Sequence, residues 1–197
     1  MGLREVNPIK DVKKIRRVKR LMKKDGNYRD LLMFTLGINA GLRISDILGM
    51  KWKDLLTKDG QIKDEVRLKE KKTGKTKIFP LNGAVKSAVE MYMENSKKVS
   101  YNSYVFISRK RSKDGKPRPV SRVAAWQSIN KYCKKAGIDQ NVGTHTLRKT
   151  FGYHQYKNGT DIAMLQKMLN HSSPQVTLRY IGIEREKLNA RYKAVEL

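Results

Sequence analysis

The sequence predicts a mainly α-helical domain with one small antiparallel β-sheet, an α+β fold. Apolar residues recur every three or four positions along most of the 197-residue chain, the period of helices that bury one face. Strand-like alternation is concentrated between residues 62 and 81, on either side of a Lys-Thr-Gly turn. The length suits one domain, or a domain with a short arm.

The elements follow in order. Asn7-Pro8 reads as a helix start, with a cap residue and a proline at the first helical position. Ile9, Val12, Ile15, Val18 and Met22 then form an apolar stripe, and nine lysines and arginines between Lys10 and Lys24 cover the rest. That cationic face suits a phosphate backbone or a solvated surface. A turn at Asp25-Gly26 and a cap at Asn27 open a second helix through Leu31, Leu32, Met33 and Leu36, which Gly41 ends. A third is expected from Ser45 through Ile47, Leu48 and Trp52. The hairpin follows, with Val66 and Leu68 before the turn at residues 71–75 and Ile78, Phe79 and Leu81 after it. Residues 83–97 return to helical spacing, and residues 104–107 suit a short strand. Residues 108–119 form a polar loop with six basic residues, mobile or gripping DNA. Ser121 caps a helix through Val123, Trp126, Ile129 and Cys133, ended by Gly137. Thr144 and Thr160 are read as the next two caps, Ser173-Pro174 as the start of a helix containing Tyr180, and the chain from about residue 184 as a last amphipathic segment.

Charge narrows the function. Forty-four Lys and Arg stand against 18 Asp and Glu, a net charge of +26. Such an excess is self-repelling without a polyanion, and each neutralised phosphate releases a counterion, so nucleic acid is the expected partner. No run approaches the roughly 18 apolar residues of a membrane span, and the first 20 residues lack the apolar core of a secretory signal. A single cysteine, Cys133, excludes an internal disulfide and suits a cytoplasmic protein at the nucleoid.

Five short segments carry chemistry. Arg43 lies in AGLRISDILGMKW and Lys72 in KKTGKTKIFPL. His145 and Arg148 lie in THTLRKTF, His171 in LNHSS, and Tyr180 nine residues later in VTLRY. Singly each is common. In this order, over residues 27–182, they resemble the tyrosine recombinase (phage integrase) family. The resemblance implies a catalytic core like those of tyrosine recombinases and type IB topoisomerases, with Arg43, Lys72, His145, Arg148, His171 and Tyr180 as its six active-site residues. Asn170 departs from the family's usual glycine, but asparagine tolerates left-handed backbone conformations, so the turn can still form. Relatives usually carry a separate helical DNA-binding domain ahead of this one. Here residues 1–26 read as a basic helical arm, so the catalytic machinery is expected complete and the second half of the DNA clamp is not.

The chemistry fits these residue types. Two arginines offer forked donors to a phosphodiester's non-bridging oxygens. Tyrosine has a reference pKa near 10, so only about one in a thousand is ionised at neutral pH. His145 is the residue to accept its proton, and His171 to orient the phosphate or support that network; the sequence does not separate the two roles. By resemblance Lys72 protonates the leaving 5′-oxygen, with Lys71 and Lys75 as near competitors. Attack by Tyr180 stores the bond energy in a 3′-phosphotyrosyl link, so no cofactor is expected, and no metal-ligand spacing is present, so the mechanism is expected to be metal-free. Tyr156, Tyr192 and His154 read as structural, Trp52 and Trp126 as packing. Leu188, Tyr192 and Val195 form a stripe that either docks on a neighbouring protomer or folds back. The expected enzyme is a recombinase, monomeric alone and tetrameric on double-stranded DNA. A catalytically silent DNA-binding regulator and a topoisomerase-like relaxing enzyme are the alternatives.

Overall fold

A computed structural model describes residues 6–96, 99–112, 114–143 and 145–195. Its elements are α1 (Val12–Lys24), α2 (Tyr28–Ala40), α3 (Ile44–Leu48), α4 (Trp52–Leu55), β1 (Glu65–Lys69), β2 (Thr76–Pro80), α5 (Gly83–Glu94), α6 (Arg122–Lys135), α7 (Thr146–Lys157), α8 (Ile162–Met168), α9 (Pro174–Ile181) and α10 (Ile183–Lys193). The fold is therefore mainly helical with one two-stranded antiparallel sheet, as the periodicity predicts.

A large apolar cluster runs from Ile9 to Leu147, centred on α2, and takes in α1, α3 to α6 and the hairpin. A smaller one joins Phe151 and Tyr153 of α7 to Leu165, Leu169, Ile181 and Ile183. Helix α7 belongs to both. It approaches α2 closely at Gly37, where a Cβ would come within 2.5 Å of Leu147. It approaches α9 closely at Gly152, where a Cβ would come within 2.6 Å of Ile181. Bare backbone at these two points lets the helices that surround the site sit against one another.

Several boundaries differ from expectation. The first helix begins at Val12, not at Pro8, because Asp11 is its cap and accepts from the amides of Lys13 and Lys14. The preceding stretch is held by α7 instead: the Ile9 amide donates to Thr150 Oγ1, and His154 Nε2 lies 2.9 Å from the Ile9 carbonyl. Val12 is consequently exposed, while Ile15, Val18 and Met22 are buried. The expected third helix is two short ones, interrupted at Gly49, Met50 and Lys51, where the Val105 amide bonds to the Met50 carbonyl. Residues 104–107 make only isolated bridges, Lys51 to Tyr104 and Ile107 to Pro119, not a strand. Asp161, not Thr160, caps α8, its carboxylate accepting from Ala163 and Met164. Thr144, the expected cap of α7, lies outside the described residues.

Other expectations hold. Asn27 is the N-cap position of α2, and Gly41 ends that helix in the left-handed conformation. Ser121 and Ser173 cap α6 and α9 through their hydroxyls. Trp52 is buried against Tyr92. Trp126, expected in the core, is 39% exposed, its indole N–H bound to the Val142 carbonyl. Ala125, Ile129, Tyr132 and Cys133 form the buried face of α6 instead.

Candidate active site

Tyr180 sits on the last turn of α9, one residue before buried Ile181 fixes that helix to α7 and α8. Its hydroxyl lies 3.2 Å from Nδ1 of His145, the residue just ahead of α7. The His171 ring meets the Tyr180 ring edge to face at 4.8 Å. The Lys149 ammonium lies over the same ring, 5.4 Å from its centre. Sequence order thus becomes a spatial cluster in which residues 145, 148, 171 and 180 converge.

Arg148 is 2% exposed. Its Nη1 donates to the Gly41 carbonyl at 2.7 Å and its Nη2 to the Leu169 carbonyl. Those carbonyls lie at the C-terminal ends of α2 and α8, so the guanidinium is fixed by backbone at both ends. Arg43, the N-cap position of α3, is aimed by an ion pair to Glu70, Nη1 to Oε1 at 2.8 Å. Asp46, one turn further along α3, accepts from the Lys71 amide at 3.0 Å. This bond ties the start of the hairpin turn to the Arg43 helix.

The turn also separates its lysines. The Lys71 ammonium packs over Gly49, so closely that a Cβ there would come within 2.6 Å of it. Lys72 is exposed, and its charge is among those acting on His145. Lys77, on β2, turns inward. It pairs across the sheet with Leu68, shares the buried face of the strand with Phe79, and donates to the Ala40 carbonyl at 2.9 Å.

The electrostatics follow from this crowding of cations. Burial pushes the Tyr180 phenol up to about 12, although Arg148 and Arg43 act in the opposite direction. Burial, then Arg148, Arg43 and Lys77, lower His171 to about 4. His145 has an edge open to solvent, yet desolvation of its inner side and then Arg148, Lys149, Arg43 and Lys72 hold it below its ordinary value. Both imidazoles are therefore neutral at pH 7 and can accept a proton. Burial, then Arg148 and Arg43, lower Lys77 to about 8. Burial alone would raise the Glu70 carboxyl, but hydrogen bonds from Thr73 and Asn170 and the Arg43 charge outweigh it and hold Glu70 below its ordinary value.

Glu70, Asp46, Lys77 and Lys149 are the residues that sequence reasoning missed. Lys77 was findable, since the alternation that buries Phe79 buries the residue two before it. Glu70 and Asp46 are identifiable only once the turn is seen folded against α3. His154 stands apart from this cluster, against the Ile9 carbonyl. Among the described residues no group of three His, Cys, Asp or Glu side chains is placed to hold a metal ion.

Fold and site together define a class: residues 12–187 match the phage integrase family, and the chain belongs to it. Among its relatives, the probable integrase/recombinase YoeC of Bacillus subtilis (strain 168) is 40% identical over 188 residues, covering 95% of this chain and 96% of YoeC. A crystal structure of XerA recombinase superposes with a TM-score of 0.74 at 22% identity, over 98% of this chain and 65% of XerA. XerH recombinase bound to its palindromic difH substrate, a post-cleavage complex, superposes with a TM-score of 0.71 at 17% identity, over 95% of this chain and 53% of XerH. The fold is thus that of tyrosine recombinase catalytic domains, and the chain spans about half to two thirds of these two recombinases.

Proposed function

We propose that this chain is a site-specific DNA recombinase or integrase that cuts and rejoins strands of duplex DNA through Tyr180. The observation that carries the reading is the 3.2 Å approach of the Tyr180 hydroxyl to His145 Nδ1 beside two arginines. A phenol whose proton is held up to about 12 is inert unless a neutral base waits at hydrogen-bond distance and cations wait for the charge. The DNA-bound XerH complex and the net charge of +26 support duplex DNA as partner.

In the step this geometry suits, the scissile phosphate lies between Arg43 and Arg148, whose donors take its non-bridging oxygens. The Tyr180 oxygen attacks phosphorus while its proton passes to His145. The bond from phosphorus to the 5′-oxygen breaks, and Lys72 supplies the proton that makes that oxygen a leaving alcohol. The products are a 3′-phosphotyrosyl link and a free 5′-hydroxyl. Reversal by a 5′-hydroxyl from a partner duplex gives recombination. Exposed Leu188 and Tyr192 on α10 and Val195 just past it support a surface for neighbouring protomers in a tetramer on DNA. Among the described residues no helix is long and apolar enough to cross a membrane.

The test is covalent trapping. DNA cleavage sites are first mapped by recovering protein-linked fragments from a genomic library, then rebuilt as nicked duplexes that cannot religate. The wild-type protein should form an adduct, with or without EDTA, and Tyr180→Phe should form none while still binding the duplex. Tight binding without an adduct in the wild type identifies a silent DNA-binding regulator and refutes the proposal.

A further inference from the structure

Glu70 lies 1% exposed where three parts of the site meet. Its Oε2 accepts from Thr73 Oγ1 at 2.7 Å, one residue past Lys72 in the hairpin turn. The same oxygen accepts from Asn170 Nδ2 at 3.0 Å, one residue before His171. Its Oε1 faces Arg43 Nη1 at 2.8 Å. One carboxylate thereby joins the turn that carries Lys72, the arginine that opens α3 and the loop that carries His171.

Asn170 is the other half of the device. It is the one non-glycine residue with positive φ among the described residues, at 48°. Glycine takes that conformation with less strain. What glycine lacks is the side-chain amide that reaches Glu70. The strained residue is therefore the one that supplies a bond across 100 positions of sequence.

We infer that the Asn170–Glu70–Thr73 clasp is a positioning device for strand cleavage, fixing the Lys72 turn against the His171 loop before DNA arrives. Neither Glu70 nor Asn170 touches the reacting atoms; Asn170 acts through Lys72, and Glu70 through both Lys72 and Arg43. This rests on the reading of Lys72 as proton donor to the leaving oxygen. The turn needs such a tie because its lysine is exposed and its tip, Gly74 at φ 67°, is open enough that an added Cβ would meet no atom within 4 Å. A hydrogen bond to an ionised group is the stronger kind, and here one carboxylate oxygen accepts two.

Two measurements on Glu70→Gln and Asn170→Gly test it. The first is amide hydrogen exchange across residues 71–75 in the DNA-free protein. The Lys71, Gly74 and Lys75 amides are bonded to Asp46, Glu70 and Thr73 respectively, so they report the turn directly. Asn170→Gly should raise their exchange about tenfold, the scale of losing one hydrogen bond to a charged group. Unchanged exchange overturns the clasp, and Glu70→Gln provides a second route to the same answer. The second measurement compares adduct formation on a nicked duplex with oxygen or sulfur at the bridging 5′ position. A thiolate leaves without a proton, so misplacing Lys72 should slow only the oxygen substrate. Asn170→Gly, which leaves the Arg43 pair in place, should therefore lag the wild type by about tenfold on oxygen, again the scale of one such bond, and by much less on sulfur, whereas Glu70→Gln also weakens the Arg43 pair and should slow both substrates. Equal slowing of Asn170→Gly on both substrates, or none on either, overturns the positioning role. A wild-type protein that forms no adduct refutes the recombinase reading itself, while the exchange measurement still decides the clasp.

Discussion

Raising the pH from about 8 to about 9.5 should stabilise this protein, with Lys77 as the cause. Its ammonium is buried on the inner face of β2, near Arg43 and Arg148, with the Ala40 carbonyl as hydrogen-bond acceptor. Its ordinary value is 10.5 and burial, then the arginines, lower it to about 8 in the folded chain. Below pH 8 both folded and unfolded chains hold the proton, and the full cost of burying the charge is present. Between 8 and 10.5 the unfolded chain keeps the proton and the folded one releases it. The unfolded state then binds more protons, so stability rises with pH. Each unit corresponds to about 1.4 kcal/mol, hence about 2 kcal/mol by pH 9.5 and about 3 kcal/mol over the whole interval. Cys133 and Tyr180 act oppositely, since burial raises both to about 12, and their cost to stability begins above their ordinary values of 9.0 and 10. Urea unfolding at about pH 7.5, 8.5 and 9.5 measures the effect. Lys77→Met keeps the buried stem and removes the titration, so its stability should lack the wild-type rise. Parallel pH dependences for wild type and Lys77→Met would refute the assignment of the cost to this ammonium.

Three other expectations complete the set. Gly152→Ala places a methyl within 2.6 Å of Ile181, the residue after the nucleophile. It should cost about 1–3 kcal/mol in unfolding experiments and slow adduct formation by displacing α9. Since both site histidines are lowered, adduct formation should be flat from about pH 7 to 8 and decline on acidification only below the ordinary histidine value of 6.5; half-loss near pH 7 would contradict a neutral His145. Arg148→Ala leaves the Gly41 and Leu169 carbonyls without their donors, and thermal or urea unfolding should register a loss of about 2–5 kcal/mol.

What the sequence revealed and what it hid divide along physical lines. Helices with a long apolar stripe, such as α2 and α6, were legible because periodicity reports burial directly. The hairpin was legible from alternation and its Lys-Thr-Gly turn. Helix starts were less so. Asn7-Pro8 has the chemistry of a helix start, but Thr150 and His154 hold this segment outside the helix, a contest decided 141 and 145 residues away. The break after Leu48 depends on the Met50 carbonyl finding the Val105 amide, again a tertiary bond. The six named site residues could be picked out because each stands in a recognisable box. The groups that set their charge could not. Glu70 and Asp46 look like ordinary acidic residues until the turn folds back on α3. The left-handed Asn170 lies between, because asparagine's tolerance for that conformation was readable and its bond to Glu70 was not.

Arg148 makes two of its hydrogen bonds to main chain, one at the end of α2 and one at the end of α8. Neither the Tyr180 hydroxyl nor the His145 imidazole joins helix to helix in that way. A lineage drifting from cutting DNA toward merely holding it can therefore shed the hydroxyl or the imidazole and keep its shape. It cannot shed the arginine without first rebuilding a joint. In proteins with this architecture an intact arginine at this position is weak testimony of activity, because the scaffold demands it regardless. The tyrosine and the histidine beside it are the more truthful witnesses.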